Sequence, residues 1–224
     1  MELILKTIKR IYHWLLEILF PSTCFGCKNK EGILCLNCMI KIPRTERETE
    51  KNILAVFDYH DPLIKKIIWN LKYYNHPFLG EKLGEILYDE FLEDISDMKI
   101  YTAGQPILII PVPISKTRAK TRGYNQSQKI AVGFCNQGEK EVFTLKNKIV
   151  VKKIDTLPQA RITNRNRRLK NIRGAFEIKN SELVKGRTII VIDDVTTTGG
   201  TITEIMNVLK KSGAKKVIGF AVAH

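Results

Sequence analysis

The sequence lacks the segments that mark a membrane-spanning or P-loop protein. No apolar run approaches the roughly 18–20 residues that cross a bilayer, and neither G-x-x-x-x-G-K-[ST] nor G-x-G-x-x-G occurs. No internal repeat is visible, and none of the four histidines lies in a nucleophile or metal-binding pattern. No small-residue cleavage site follows the N-terminal segment, so we expect no secretory signal peptide and a cytoplasmic protein.

What the chain has is a large excess of positive charge. Its 224 residues, enough for one α/β domain and a small appendage, carry a net charge of +14. Eight basic residues and a single acid, Asp155, lie between Lys152 and Arg173. A second cluster without acids consists of Lys116, Arg118, Lys120 and Arg122. Both clusters suit a polyanion, which is either pyrophosphate alone or nucleic acid as well.

The N-terminal segment predicts an amphipathic helix that ends before Pro21. One face carries Lys6, Lys9, Arg10, His13 and Glu17, and the other carries Ile4, Ile8, Ile11, Leu15 and Ile18. We expect this helix to pack on the protein. Contact with an anionic membrane surface, or with a partner, is the alternative for a basic amphipathic helix.

Four cysteines near the N-terminus predict a zinc site. Cys24, Cys27, Cys35 and Cys38 form C-x₂-C-x₇-C-x₂-C, and two such pairs suit a closed, structural Zn²⁺ site with four thiolates. Two disulfides or a redox pair are the alternatives, and the lack of a secretory signal argues against disulfides. The fifth cysteine, Cys135, is predicted to be a buried bystander on a helix.

The segment Thr188–Thr201, TIIVIDDVTTTGGT, predicts a strand, a polar loop and the start of a helix. Ile189–Ile192 is typical of a buried strand, and two adjacent acids, Asp193 and Asp194, follow it. Threonines and glycines come next. Apolar residues then recur at helical spacing, at Ile202, Ile205, Met206 and Leu209.

This order of residues fits a phosphorylated sugar. A helix N-terminus favours a phosphate because its N–H groups are unpaired and carry partial positive charge, and glycines let the backbone approach closely. Two carboxylates beside a phosphate suit the vicinal hydroxyls of a ribose or a divalent cation. We therefore expect a ribose 5-phosphate ligand with Mg²⁺. The simpler alternative is a turn whose acids only solvate the loop.

Three segments carry a resemblance to known families. VIDDVTTTGGT resembles the phosphoribosyl-pyrophosphate (PRPP) loop of type I phosphoribosyltransferases. Pro111–Gln128, with its RGYNQ, is similar to the signature of the ComF (ComFC-type) competence family. Gln159, Arg168, Asn171 and the GAF of residues 174–176 resemble the same family, as do the cysteine pairs. The resemblance covers nearly the whole chain and is weakest between Lys41 and Gln105.

The alternation of strands and helices predicts an α/β fold, and the resemblance implies a type I phosphoribosyltransferase-like parallel sheet flanked by helices. Residues 1–50 are expected to form the amphipathic helix and zinc ribbon, 51–105 a hood or connecting region, and 106–224 the phosphoribosyltransferase-like core. Predicted strands are Ile53–Tyr59, a run from Ile107, Lys148–Ile154, Ala175–Ile178, Thr188–Ile192 and Val217–Val222. Predicted helices are Asp61–Leu71, with Asp61 as its cap, Gly80–Leu92 and Tyr124–Phe134; Ser115–Thr121 is expected to be a loop.

The resemblance also implies roles for individual residues. Asp193 and Asp194, the candidate catalytic residues, would hold the ribose hydroxyls of PRPP. The loop that would cradle the 5-phosphate consists of Thr196, Thr197, Thr198, Gly199, Gly200 and Thr201, and Val195 before it is also expected to bind PRPP. Ser115, Lys116 and Arg118 match the pyrophosphate loop, and Mg²⁺ would bridge pyrophosphate and ribose oxygens. Thr156–Phe176 matches the mobile loop that closes over PRPP.

Two classes of function stay open. The first is an enzyme that transfers phosphoribose from PRPP to a nitrogen acceptor. The second is a non-catalytic single-stranded DNA-binding competence factor that keeps the PRPP site as a sensor or a relic. The resemblance implies a part in DNA uptake, with competence-machinery proteins as partners. No motif identifies the acceptor, and the aromatic run Trp69–Tyr74 either stacks on a base or packs within the small domain.

Overall fold

The computed structural model describes residues 23–45, 50–74, 76–139, 141–153 and 172–224. It divides into two compact units, Met1–Ile42 and Pro43–His224. The predicted N-terminal amphipathic helix and residues 156–171 of the predicted mobile loop lie outside the described residues.

In the first unit, two short turns bring the cysteine pairs together. The N–H of Phe25 donates to the carbonyl of Ile33 (2.9 Å), which joins the segment of the first pair to that of the second. A one-turn helix, α1 (Leu36–Met39), begins directly after Cys35. Gly32 has a φ of 94°, a left-handed conformation that favours glycine.

A five-stranded sheet forms the centre of the second unit. The described part of this unit has seven strands, of which β4 and β5 lie outside the large sheet: β1 (Ile53–Phe57), β2 (Ile107–Pro111), β3 (Phe143–Leu145), β4 (Val150–Lys152), β5 (Phe176–Ile178), β6 (Thr188–Val195) and β7 (Lys216–Ala223). The large sheet has the order β1-β7-β6-β2-β3, and all its pairings are parallel. The carboxyl ends of β2, β6 and β7 therefore lie at one edge, where parallel sheets bind ligands.

Helices cover both faces of this sheet. They are α2 (Pro62–Tyr73), α3 (Pro77–Glu90), α4 (Leu92–Lys99), α5 (Lys116–Arg122), α6 (Gln126–Gln137) and α7 (Gly200–Lys211). Ile189 and Val191 of β6 share a core with α7, whereas Phe220 of β7 contacts the Phe134 ring of α6. The predicted parallel sheet with flanking helices is confirmed. None of the helices in the described part of the chain is long and apolar enough to cross a bilayer.

Several elements differ from the sequence predictions. β4 and β5 do not join the parallel sheet but form a separate antiparallel pair, Val150 opposite Ile178. The edge position next to β2 is taken by β3, which is too short to give a periodic signal. The expected loop Ser115–Thr121 is mostly helix α5. Hydrophobic periodicity could not predict this helix, because KTRAKTR has no apolar face.

Asp61 caps α2, as the sequence predicts. Its Oδ1 accepts hydrogen bonds from the N–H groups of Leu63 (2.8 Å) and Ile64 (2.9 Å). Replacing Asp61 with alanine removes this acceptor, so we expect the free energy of unfolding, measured by urea denaturation, to fall by about 1 kcal/mol. Asp97→Ala, which removes an exposed acid inside α4, is the control, with an expected change within about 0.5 kcal/mol. Equal losses in both variants would contradict the capping role.

Candidate functional site

The two adjacent acids lie inside the last part of β6 rather than after it. The strand continues through Val195, which pairs with Ala223 of β7. The sequence interpretation ended the strand at Ile192 because the residues that follow are polar. Since successive side chains of a strand point to opposite faces, Asp193 and Asp194 have different neighbours.

Each acid has its own partner on a helix. Oδ1 of Asp193 accepts a hydrogen bond from Oγ of Ser127 (2.9 Å), in the first turn of α6. Oδ1 of Asp194 lies 3.0 Å from Nζ of Lys72, in the last turn of α2, and both of these side chains are mostly buried. The acid pair therefore connects the end of β6 to two helices.

Burial and charge repulsion disturb the ionisation of this pair. Burial, followed by the neighbouring charge of Asp194, raises the pKa of Asp193 to about 7, against the lowering effects of Ser127 and Lys72. Acids with such displaced pKa values are typical of functional sites. A crowded acid pair of this kind gains most from a ligand that offers hydroxyl donors or a divalent cation.

The loop after β6 leads directly into the N-terminus of α7. The N–H of Thr196 donates to the carbonyl of Ala223 (2.9 Å), which fixes the start of the loop. Gly199 has a φ of 69°, and a Cβ at this position would lie 2.6 Å from Cγ of Glu50, so the loop requires glycine here. Oγ1 of Thr198 is buried and has no hydrogen-bond partner among the residues that the structure describes. A buried hydroxyl without a partner costs free energy, which a bound phosphate oxygen would recover.

The three candidate pyrophosphate residues lie at the start of α5. Oγ of Ser115 caps the helix by accepting a hydrogen bond from the N–H of Arg118 (3.3 Å), and Lys116 is the first helical residue. Because β2 and β6 are adjacent and parallel, α5 begins at the edge of the sheet where the acids lie. Contact of these residues with a pyrophosphate stays a prediction.

The RGYNQ segment has a structural role that the sequence did not reveal. The hydroxyl of Tyr124 donates to the carbonyl of Leu71 in α2. Nδ2 of Asn125 donates to the carbonyl of Val112 after β2 (3.0 Å), and its Oδ1 accepts from the N–H of Ser127 (3.1 Å). The segment therefore ties together the three elements that surround the acid pair.

Sequence reasoning missed Lys72 and Ser127. Lys72 is one of 37 Lys and Arg residues, and only the packing of α2 brings it to Asp194. For Ser127, the only indication in the sequence is that it directly follows the RGYNQ segment. A residue that contacts the site from a distant part of the chain leaves no local pattern.

The four N-terminal cysteines form the predicted cluster. Their sulfur atoms all lie within 4.8 Å of one another, and sulfurs about 2.3 Å from a tetrahedral zinc ion would be about 3.8 Å apart. Sγ of Cys24 accepts hydrogen bonds from the N–H groups of Gly26 (3.4 Å) and Cys35 (3.5 Å). Burial raises the pKa of Cys24, but backbone N–H donors outweigh it and lower this pKa to about 6. These donors favour the thiolate form of Cys24, whereas burial and the neighbouring thiols raise the pKa of Cys38 to about 12.

The family model described as Phosphoribosyl transferase domain matches residues 121–224. This part of the chain contains β6 with its acid pair, the threonine–glycine loop and α7. Together with the parallel sheet, the match defines a phosphoribosyltransferase-type α/β domain.

Two relatives extend the comparison over most of the chain. DNA utilization protein YhgH of Escherichia coli O157:H7 is 30% identical over 187 residues, which are 82% of this chain and 74% of that protein. Competence protein F of Haemophilus influenzae is 28% identical over 192 residues, 85% of this chain and 78% of that protein. Ribose-phosphate pyrophosphokinase of Prochlorococcus marinus is 55% identical over 38 residues, 17% of this chain and 12% of that protein. The chain belongs to the ComF family, the family of YhgH and competence protein F.

Proposed function

We propose that this chain binds PRPP and Mg²⁺ at the carboxyl edge of its sheet. The observation that carries the proposal is the succession at the end of β6: a crowded acid pair, a threonine–glycine loop and the N-terminus of α7. The buried Thr198 hydroxyl supports it, because a phosphate oxygen is a suitable partner for this donor. The similarity of a 38-residue stretch to a protein named ribose-phosphate pyrophosphokinase supports it as well.

In this proposal Asp193 and Asp194 accept hydrogen bonds from the ribose hydroxyls. Ser127 orients Asp193, and Lys72 offsets the negative charge of Asp194. Burial and the adjacent charge of Asp194 raise the pKa of Asp193, and a hydroxyl donor or a cation bound to this carboxylate would oppose both effects.

The phosphate groups of PRPP lie on either side of the ribose in the proposed complex. Residues 195–201 bind the 5-phosphate through N–H and hydroxyl groups at the start of α7. Ser115, Lys116 and Arg118 bind the pyrophosphate at the start of α5. Mg²⁺, when bound, supplies positive charge next to the leaving pyrophosphate.

The reaction that such a site supports is transfer of the phosphoribosyl group to a nitrogen acceptor. The bond from C1 to the pyrophosphate oxygen breaks, and a bond from C1 to the acceptor nitrogen forms. The acceptor loses a proton, and pyrophosphate leaves with the bonding electron pair. The acids and the loop hold the ribose still while the bond breaks, which is the entropic part of catalysis.

We also propose that the protein acts in DNA uptake, on the cytoplasmic side of the membrane. The relatives named DNA utilization protein and competence protein F support this role. The net charge of +14 and the acid-free helix α5 support contact with a polyanion. Single-stranded DNA is the partner that such a role requires.

Replacing both acids tests the PRPP site. We expect Asp193→Asn/Asp194→Asn to weaken Mg²⁺-PRPP binding by about 30-fold, because the neutral amides accept hydrogen bonds from the ribose hydroxyls more weakly than carboxylates and carry no charge to attract Mg²⁺. Isothermal titration calorimetry measures the change. Asp89→Asn, at an exposed position of α3, is the control and should bind as the parent does. Unchanged affinity in the double variant would rule out the ribose assignment.

Pyrophosphate release separates the enzyme from a non-catalytic protein. A panel of purines, pyrimidines and amines is incubated with PRPP and Mg²⁺, and released pyrophosphate and the product masses are measured. An acceptor-dependent product that the double variant fails to form supports transfer. Binding without any product across the panel would leave PRPP as a bound signal rather than a substrate.

We further propose that the four-cysteine cluster binds one structural Zn²⁺. The compact set of four sulfurs and the N–H donors to Cys24 support this proposal. The four thiolates would fill all four positions of a tetrahedral ion and leave none for water, so the ion would hold the turns of the first unit together and take no part in a reaction.

A further inference from the structure

Four large aromatic side chains lie exposed at the end of α2 and the start of α3. Trp69 is 57% exposed, Tyr73 55%, Tyr74 61% and Phe78 50%. The rings of Trp69 and Tyr73 are in contact, with centroids 4.4 Å apart and planes inclined by 45°. Most aromatic rings of a folded protein are largely buried, so an exposed group of four is a candidate contact surface. We call these four residues the aromatic platform.

Positive charge borders the aromatic platform. The guanidinium of Arg122 lies over the Tyr73 ring, 5.4 Å from its centroid, and Nη1 of Arg122 is held by Oε1 of Gln126 (3.0 Å). Arg122 is the last residue of α5, in which Lys116, Arg118, Lys120 and Arg122 occur without an acid. α2 itself contains no acid and carries Lys65 and Lys66 at exposed positions, whereas Lys72 is paired with Asp194. The exposed rings are therefore next to a strip of cations.

Exposed rings beside a basic strip are the combination that binds single-stranded nucleic acid. Unpaired bases stack on aromatic side chains, and cations follow the phosphate backbone. A duplex hides the faces of its bases, so stacking on side chains selects the single strand. A protein partner that covered the same rings would instead need acidic residues opposite α2 and α5.

We propose that the aromatic platform stacks unpaired bases of single-stranded DNA while Lys120 and Arg122 of α5 contact the phosphates. This inference rests on the proposed role in DNA uptake and assigns it to a particular surface. The platform is adjacent to the proposed PRPP site, because Lys72, the residue before Tyr73, contacts Asp194. The proposed PRPP site uses Lys116 and Arg118 at the start of α5, whereas the DNA phosphates contact Lys120 and Arg122 at its end, so each ligand can be lost separately.

The test removes two exposed rings that make no described contact with the acid pair. We expect Trp69→Ala/Tyr74→Ala to bind a short fluorescein-labelled oligothymidine about 10- to 30-fold more weakly than the parent in fluorescence anisotropy. Trp69→Phe/Tyr74→Phe, which keeps the rings, should restore most of the affinity. The matched control is Tyr101→Ala. The Tyr101 ring is also exposed and also has a cation, Lys216, over its face. Its position is different, because its carbonyl accepts a hydrogen bond from Thr188 at the start of β6, the end of that strand away from the acids.

Salt dependence separates stacking from charge. Between about 50 and 200 mM salt, the double alanine variant should keep the parent slope, whereas Lys120→Ala should reduce it by about 0.7 per lost phosphate contact. Unchanged oligothymidine affinity in Trp69→Ala/Tyr74→Ala overturns the proposal. A variant that binds oligothymidine normally but loses acceptor-dependent pyrophosphate release overturns it too, since the rings would then hold the acceptor.

PRPP calorimetry on the same variants keeps the two proposals apart. The double alanine variant should bind Mg²⁺-PRPP as the parent does, and Asp193→Asn/Asp194→Asn should bind oligothymidine as the parent does. If Asp193→Asn/Asp194→Asn loses PRPP binding but still binds oligothymidine, the acid pair serves PRPP and not DNA. A parent protein that binds PRPP but not oligothymidine at the lower salt concentration rejects the platform and leaves the PRPP site standing.

Discussion

Replacing Cys35 with serine is expected to abolish stoichiometric zinc binding and to open the first unit of the chain. The parent protein should carry about one zinc ion per chain, measured by elemental analysis after desalting. The variant should carry far less, because a closed site depends on all four thiolates. In small zinc-binding peptides the ion contributes about 10–16 kcal/mol of apparent binding free energy, which is coupled to folding.

The structure gives a reason for choosing Cys35. Its side chain is buried, its N–H donates to Sγ of Cys24 (3.5 Å), and α1 begins at the next residue. Loss of this thiolate therefore removes a metal ligand at the position where the second cysteine pair turns into a helix. Lys28 and Lys41, on either side of Cys35, should become new sites of trypsin cleavage in the variant.

Cys135→Ser is the matched control for the zinc experiment. Cys135 lies in α6, in the other unit, and does not belong to the group of four sulfurs. Because its loss removes none of the four proposed ligands, the control should keep one zinc per chain and the parent pattern of cleavage. A Cys35→Ser protein with a full equivalent of zinc would contradict the four-thiolate site. A parent protein that contains no zinc after expression in zinc-supplemented medium would contradict the four-thiolate site as well.

The strongest sequence predictions rest on residues that are close together along the chain. The cap of α2 at Asp61 and the run of strand, acids, loop and helix from Thr188 onward both depend on neighbours in sequence. The cysteine cluster does so too, because the spacing of its pairs is enough to predict it. In each of these elements the interacting residues are already close together along the chain, so a local sequence pattern is enough to predict the element.

The sequence missed what depends on packing between distant segments. Lys72 reaches Asp194 only because α2 lies at the carboxyl edge of the sheet. Helix α5 has no apolar face, so periodicity could not predict it, and its cap at Ser115 was the only local signal. The apolar residues of β4 and β5 predict core strands, and Val150 and Phe176 are indeed buried. The two strands nevertheless pair with each other instead of with the large sheet.

A second large effect is expected where α3 and α6 touch. A Cβ on Gly133 of α6 would lie 1.9 Å from the carbonyl oxygen of Glu81 in α3, and one on Gly84 would lie 2.0 Å from the carbonyl oxygen of Ile130. The two helices therefore approach through reciprocal glycines, backbone against backbone. This contact matters for the site, because α6 begins with the Asn125 cap and carries Ser127, the partner of Asp193.

Gly133→Ala should therefore lower the free energy of unfolding by about 3 kcal/mol. A methyl group against a backbone carbonyl cannot be relieved by a rotamer change, so the helices must separate, at a cost of about 4 kcal/mol, which is above the usual range for overpacking. The better helix propensity of alanine offsets only about 1 kcal/mol of that cost. For a domain of this size, the melting temperature should fall by about 6–12 °C. Urea denaturation and differential scanning calorimetry measure both quantities.

The control for this substitution is Asn136→Ala, at an exposed position near the end of the same helix. It gains helix propensity without adding an atom to the contact, and its unfolding free energy should stay within about 0.5 kcal/mol of the parent. If Gly133→Ala is as stable as Asn136→Ala, the helices are not in backbone contact. Contacts other than the one between α3 and α6 would then have to hold Ser127 beside Asp193. If it is destabilised and also binds Mg²⁺-PRPP more weakly below its melting temperature, the glycine contact sets the geometry of the acid pair.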